Sequence, residues 1–335
     1  MKKYIISMLG CVFLSSLFFN LPPAEAAPYY QGKVITIIVG YGPGGGYDRI
    51  ARIIAKNLSK FIPGNPTVLV QNMPGADSMI AANYVYKIAK PDGLTIGAFN
   101  RGLVFAQLLK GESVKFDLTK FAWIGSAAIE STVLVLHGDL PYKTIEEVAK
   151  AKLPIVLGST GPADSSGQFP LFLKQLLGYN FKDVVYPSGN DIMLAIERKE
   201  VDGRGMTYSS ARIYIDRGLV VPVLRGRVIE KGIEKLPMDE DLAKDQRAKT
   251  LMAMRSAPDS MGRPYVAPPG TPEATMNVLR DAFAKVAKDP GAIEDAKKNM
   301  MALEYVPAQE VQKVLQYILS QPPDMVKEFG RYVKF

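Results

Sequence analysis

Five glycines, Gly40, Gly42, Gly44, Gly45 and Gly46, separate the apolar run Val34 to Val39 from a stretch that opens Tyr47-Asp48-Arg49 and continues with apolar residues at helical spacing. A strand that turns into a helix through residues without side chains is a cradle for an anion. Ligand oxygens can reach the backbone, and the first-turn N–H groups face them with the positive end of the helix dipole behind. Gly40-x-Gly42-x-x-Gly45 has the spacing of a dinucleotide fingerprint, yet Thr67-Val68-Leu69-Val70 runs into Gln71-Asn72 rather than into an acid that would hold ribose hydroxyls. No Gly-Lys-Ser/Thr follows the glycines, which removes a P-loop. The same grammar recurs where Pro154-Ile155-Val156-Leu157 enters Gly158-Ser159-Thr160-Gly161-Pro162-Ala163-Asp164-Ser165-Ser166-Gly167. A helical stripe of Phe169, Phe172, Leu173, Leu176 and Leu177 follows and is stopped by Gly178. Two such cradles facing each other make a cleft.

Residues for covalent chemistry are sparse. His137 is the one histidine, no Gly-x-Ser-x-Gly turn is present, and Asp48, Asp77, Asp92, Asp164 and Asp202 are isolated acids beside turns or helix starts, where capping accounts for them. No catalytic, metal or cofactor set emerges. The single cysteine, Cys11, falls in the apolar N-terminal segment, so a chain processed there has no disulfide or thiolate site.

Strands alternate with helical patterns along the whole chain, which predicts parallel sheets with helices on both faces. Strands are expected at 67–70, at 94–99 after the Pro91-Asp92-Gly93 turn, and at 184–186 before Pro187-Ser188-Gly189-Asn190. Thr144-x-x-Glu147 has the form of a capping box, and Thr271-Pro272-Glu273 reads as N-cap and first turn of a helix carrying Met276, Leu279, Phe283 and Val286. In open parallel sheets ligands bind beyond the carboxyl ends of the strands, so the loops 40–48, 72–78, 100–102, 159–166, 187–190 and 204–209 are expected to converge. Arg49, Arg52, Lys56 and Lys60 share one helix face opposite Ile50, Ile53, Ile54, Leu58 and Phe61; they are expected to be a solvated face, with Asp48 and Arg52 paired at i, i+4.

Lys2 and Lys3 precede an apolar run from Tyr4 to Phe19 and then Ala24-Glu25-Ala26, the pattern of an export signal over residues 1–26. The protein is expected in the periplasm and without a lipid anchor, although Met8-Leu9-Gly10-Cys11 faintly resembles a lipoprotein site. With 47% hydrophobic residues the chain can bury a large core, and its net charge of +8 is dispersed rather than gathered into a nucleic-acid-binding block. A mild positive field favours small acidic ligands.

Together Gly44-Gly45-Gly46-Tyr47-Asp48 with Ala51-Arg52, Val70-Gln71-Asn72-Met73-Pro74-Gly75-Ala76, Pro91-Asp92-Gly93-Leu94-Thr95 and Ala267-Pro268-Pro269-Gly270-Thr271-Pro272 resemble the extracytoplasmic solute-binding proteins of tripartite tricarboxylate transporters, the Bug family. The resemblance spans essentially the whole chain after the leader. It implies an α/β, type II-like periplasmic binding protein of two domains, here 27–127 plus 255–335 and 128–254, with a ligand cleft between them. It implies that Tyr41, Gly44, Gly45, Gly46, Tyr47 and Asp48 on one side, and Ser159, Thr160, Gly161, Ser165 and Ser166 on the other, grip a carboxylate. Ala76, Asp77 and Ser78 are expected to line the floor, Ser188 and Gly189 the far wall, and Arg101 and Arg204 to take a second carboxylate. The implied function is capture of a small organic acid, a di- or tricarboxylate or another carboxylated solute, by a monomer that closes on it and delivers it to a permease of one small and one large membrane subunit. A ligand-presenting sensory role is the alternative, and an exported hydrolase using a serine of the 159–166 loop with His137 a more distant one. Tyr47 stands where the family usually has a small residue, Asp77 where it usually has a second glycine, and Pro162-Ala163-Asp164 lengthens the second loop. These departures bear on the substrate, which Tyr41 and Tyr47 would allow to be aromatic.

Overall fold

The computed structural model describes residues 28–161 and 164–335; the expected leader and Cys11, together with Pro162 and Ala163, lie outside them. The described chain is mixed α/β with two sheets. The first contains β1 (Val34–Val39), β2 (Thr67–Asn72), β3 (Thr95–Ala98), β4 (Ala122–Ser126), β10 (Pro264–Ala267) and β11 (Val306–Pro307), in the order β11-β4-β10-β3-β1-β2. The second contains β5 (Thr132–His137), β6 (Ile155–Ser159), β7 (Phe181–Val185), β8 (Gly203–Thr207) and β9 (Val220–Arg225), in the order β7-β6-β8-β5-β9.

The expectation of parallel sheets holds in part. β1, β2 and β3 are parallel, as are β6, β7 and β8, but β10 runs antiparallel to β3 and β4, and β5 antiparallel to β8 and β9. The exceptions lie next to the two places where the chain passes from one sheet to the other, β4 to β5 and β9 to β10. β4 and β5 are joined by a short direct connection, whereas helix Gln246–Ser256 intervenes between β9 and β10.

β1 shows why an unbroken apolar run suits a central strand. Ile35, Ile37 and Val39 pack on Ile50, Ile54 and Leu58 of helix Gly46–Leu58, while Ile38 faces the opposite core with Met79, Phe99 and Phe105. Both faces of the pleat are buried, so the period of two is hidden. β5 divides likewise, Leu134 and Leu136 facing Phe169 and Leu173, and Val133 and Val135 facing Ile192 and Ile196. Helix Pro323–Tyr332 ties the halves together, Phe329 packing its ring against Phe172 at 5.1 Å.

The capping box at Thr144 forms with both bonds, and Gly178 ends helix Ser165–Leu177 in the left-handed conformation. Thr271 does not cap helix Glu273–Val286. Pro272 occupies that position, and the Thr271 hydroxyl donates to Pro268 O at 2.8 Å, because the Pro268-Pro269-Gly270 turn brings that carbonyl nearer than the helix N–H groups.

Candidate functional site

β1 delivers the chain into the glycine turn, and its shape is held by one acid. Asp48 accepts from Gly44 N at 2.8 Å, Arg52 Nε at 2.9 Å and Asn72 Nδ2 at 2.9 Å. Burial pushes its carboxyl up, but Arg52, the Gly44 N–H and Asn72 prevail and hold it below the usual aspartate value. Gly44 sits at φ 82°, in the left-handed region. Gly45 occupies the N-cap of helix Gly46–Leu58, where no side chain caps the first turn. Those N–H groups stay available to a ligand.

The facing loop is built the same way around another acid. Asp164 caps helix Ser165–Leu177, accepting from Ser166 N at 2.8 Å and from the Ser166 hydroxyl, while Ser166 Oγ accepts from Thr160 N at 3.1 Å. β7 then leads to Ser188, which caps helix Gly189–Glu197 through Asp191 N and donates to Asp191 Oδ2 at 2.7 Å.

The two sides meet. Tyr41 donates to Asp164 Oδ2 at 3.0 Å and Asn190 Nδ2 to Pro43 O at 2.8 Å. A Cβ on Gly46 would overlap the Arg263 guanidinium and Ser210 Oγ, so that glycine is what allows the jaws to approach this closely. Between them lies a cavity of ≈ 90 Å³ whose wall holds four arginines, Arg49, Arg101, Arg204 and Arg263, against one acid, Asp164.

Two of these arginines are engaged behind the wall. Arg101, 6% exposed, donates through Nη2 to Asp259 Oδ1 at 2.7 Å and to Thr132 Oγ1, and through Nη1 to Gly262 O. Burial opposes its charge, but Asp259 prevails and raises its pKa. Arg263, 1% exposed, pairs with the fully buried Glu130 and donates to Thr207, Ser209 and Ser210. Both ion pairs straddle the crossings between the sheets. The other two arginines lack such partners. Arg204 is 7% exposed and donates to the backbone alone, Nη1 to Gly189 O at 2.7 Å and Nε to Gly205 O at 3.1 Å. Arg49 is half-buried, with Nη1 on Asn299 O and Nε unbonded. Neither makes an ion pair among the described residues, and burial lowers the pKa of both.

The model of the tripartite tricarboxylate transporter family receptor matches residues 50–331. The chain belongs to this receptor family. The receptor is 27% identical over 314 residues to a UPF0065 protein of Bordetella pertussis, an alignment that covers 91% of this chain and 92% of the relative. In fold it is similar to the periplasmic binding protein BugD, with 22% identity, a TM-score of 0.73 and coverage of 91% of this chain and 100% of BugD. MatC of Rhodopseudomonas palustris, solved with bound malate, is 20% identical at a TM-score of 0.68, over 88% of this chain and 99% of MatC. R. palustris Rpa4515, solved with adipate, is 16% identical at a TM-score of 0.73, over 90% and 99%. These neighbours are two-domain periplasmic binding proteins, and the receptor shares their fold.

Of the residues singled out from sequence, Tyr41, Gly44, Gly45, Gly46, Tyr47, Arg101, Thr160, Ser165, Ser188, Gly189 and Arg204 line the receptor's cavity. Asp48, Ser159 and Ser166 do not: Asp48 shapes the glycine turn, Ser159 Oγ donates to Asp183 Oδ2 at 2.8 Å, and Ser166 is fully buried under its own loop. Ala76, Asp77, Ser78 and Gly161 line an adjoining chamber rather than the cavity floor. Ala76, Asp77 and Ser78 have φ of 44°, 52° and 77°, three consecutive non-glycine residues in the left-handed region, where each costs about 1–2 kcal/mol. Arg101, expected to hold a second carboxylate, is committed to Asp259. Arg49, expected on a solvated face, is in the cavity wall. Asn190 and Thr207, within the loops expected to converge, also line the cavity, as do Arg263, Ser210 and Tyr214, which had no local signal.

His137 lies at the far end of β5. Thr132 pairs with Thr207 at the cleft edge and Leu136 with Gly203, so His137 sits about 17 Å along the strand from the cleft. Its Nδ1 accepts from Asp139 N at 3.0 Å. The 159–166 loop therefore has no histidine beside it, and the receptor family is one of binding proteins. Among the described residues no cluster of His, Cys, Asp and Glu is arranged to hold a metal, and no helix is long and apolar enough to cross a membrane.

Proposed function

We propose that this receptor captures a small organic acid carrying at least two anionic groups and hands it to a membrane permease of one small and one large subunit. The observation that carries the reading is Arg204. A guanidinium buried to 7% exposure with backbone carbonyls as its hydrogen-bond partners, and only the more distant Asp164 to offset it, is a charge taken from water without an ion-pair partner, an arrangement that is costly until an anion arrives. Arg49 adds a second under-compensated cation from the opposite jaw. The uncapped first turn of helix Gly46–Leu58 offers N–H groups to one carboxylate, and the arginines suit another.

The size of the cavity supports the same class. A volume of ≈ 90 Å³ corresponds to about six to nine water-sized positions at roughly 10–15 Å³ each, the scale of a C4 to C6 acid and far below a nucleotide. Capture works by closure: residues 28–127 plus 255–335 form one jaw and 128–254 the other, and an acid touched by both stabilises the closed state over the open one. MatC and Rpa4515, with malate and adipate, bind acids of this class on the same fold.

The test is calorimetry of the leaderless protein with succinate, malate, adipate, citrate and benzoate, beside native mass spectrometry of protein purified without refolding. A dicarboxylate binding at least tenfold more tightly than benzoate supports the reading. Absence of binding across the panel with no retained acid removes it.

A further inference from the structure

The cleft holds two spaces, and Tyr41 and Thr160 belong to the walls of both. The inner cavity measures ≈ 90 Å³; the adjoining chamber, between the 74–79 and 185–187 loops, measures ≈ 730 Å³. Tyr41 stands between them, held from both jaws. Its ring stacks on Tyr47 at 5.1 Å and 30°, and its hydroxyl reaches Asp164 on the far jaw. Burial and the neighbouring acids, Asp164 first, raise its pKa well above the phenol value, so the hydroxyl remains a donor.

We propose that the Tyr41 ring is a specificity-determining partition that confines the solute to the inner cavity and bars any chain extending from its anionic head. This rests on the inner cavity being the acid site. The chemistry of the chamber says what is barred. Pro74, Met79, Val185, Pro187 and Phe335 give it a largely apolar wall, and Asp77 is its one acid. An uncharged alkyl tail is compatible with that wall, whereas a distal carboxylate would face Asp77. Each methylene buried there is worth about fourfold in affinity. Three or four methylenes would outweigh much of what a second carboxylate gains, and the ring stands in their way.

The experiment compares dissociation constants of succinate and octanoate for the wild type, Tyr41→Phe and Tyr41→Ala. Loss of the bond across the cleft weakens both acids in both variants, so the octanoate-to-succinate affinity ratio is the readout. Tyr41→Ala is expected to raise the ratio at least tenfold, and Tyr41→Phe, which keeps the ring, to leave it within threefold of the wild type. Tyr41→Val serves as a second opening variant if the alanine protein does not fold. A ratio unchanged in the opened variant overturns the partition while leaving the acid-binding reading intact. A wild type that binds neither acid nor any other carboxylate overturns both.

Discussion

Replacing Arg204 by glutamine separates the two things a buried, unpaired cation does. In this structure Arg204 is 7% exposed, and its hydrogen bonds go to Gly189 O and Gly205 O. Removing its charge therefore removes an uncompensated burial cost, and the solute-free variant is expected to be as stable as the wild type or more so. With solute the sign reverses. The variant loses a charge-assisted contact in a desolvated cavity, a loss of about 2–4 kcal/mol, which is about 30- to 1000-fold in the dissociation constant of a dicarboxylate. Thermal unfolding reads both effects. At about 2 cal/mol/K per residue a chain of this length shifts by roughly 1.5 °C per kcal/mol. A dicarboxylate at a hundred times its dissociation constant adds about 2.7 kcal/mol, hence about 4 °C, to the wild type. At the same concentration Arg204→Gln is expected to gain no more than about 1.3 °C. A variant that melts several degrees lower without solute, yet keeps wild-type affinity, would show Arg204 to be structural and refute the reasoning.

Arg101→Met leaves Asp259 buried and unpaired, which costs about 3–5 kcal/mol, so the melting temperature is expected to fall by about 4–8 °C; unchanged melting with lost acid binding would return Arg101 to the ligand. Gly46→Ala suits the helix backbone but places a methyl against Arg263 and Ser210, so dicarboxylate binding is expected to weaken at least tenfold with no loss of melting temperature, and scattering at saturating acid to show an open molecule; wild-type affinity would contradict the closure geometry. Glu230, beside Glu130, Arg263 and Arg212 and bonded to Ser131 N, is pushed up to about 7 by burial and by Glu130. The folded state then holds its proton more tightly than the unfolded chain does, so its stabilising contribution is full below about pH 4.5 and lost as pH rises through 7. It amounts to roughly 3 kcal/mol. Urea midpoints from pH 5 to 8 are expected to fall less steeply in Glu230→Gln than in the wild type, and identical slopes would contradict the assignment.

What was legible in the amino-acid sequence was chemistry settled within a few residues. The glycine turn, the Asp48–Arg52 pair, the Thr144 capping box and the Gly178 stop all depend on neighbours in the chain, and each forms as its letters imply. The loops after the strands also meet at the cleft, because a strand's carboxyl end fixes where its loop emerges. The pairing of Arg101 was not legible for the complementary reason: its acid is Asp259, 158 residues away, and nothing beside Arg101 announces it. Arg49 is more instructive. Helical periodicity correctly set it opposite Ile50, Ile53 and Ile54, away from its own domain's core, and a charge on that side ordinarily meets water. In a two-jawed protein that side also faces the other jaw. Lys56 and Lys60, further along the same face, leave the cleft and pair with Asp295 and Asp289 at the surface. Arg49, in the first turn, stays within it. Distance from the glycine turn, rather than helix face, therefore separates a solvated cation from one in the cavity wall, and that distance can be counted from the letters alone.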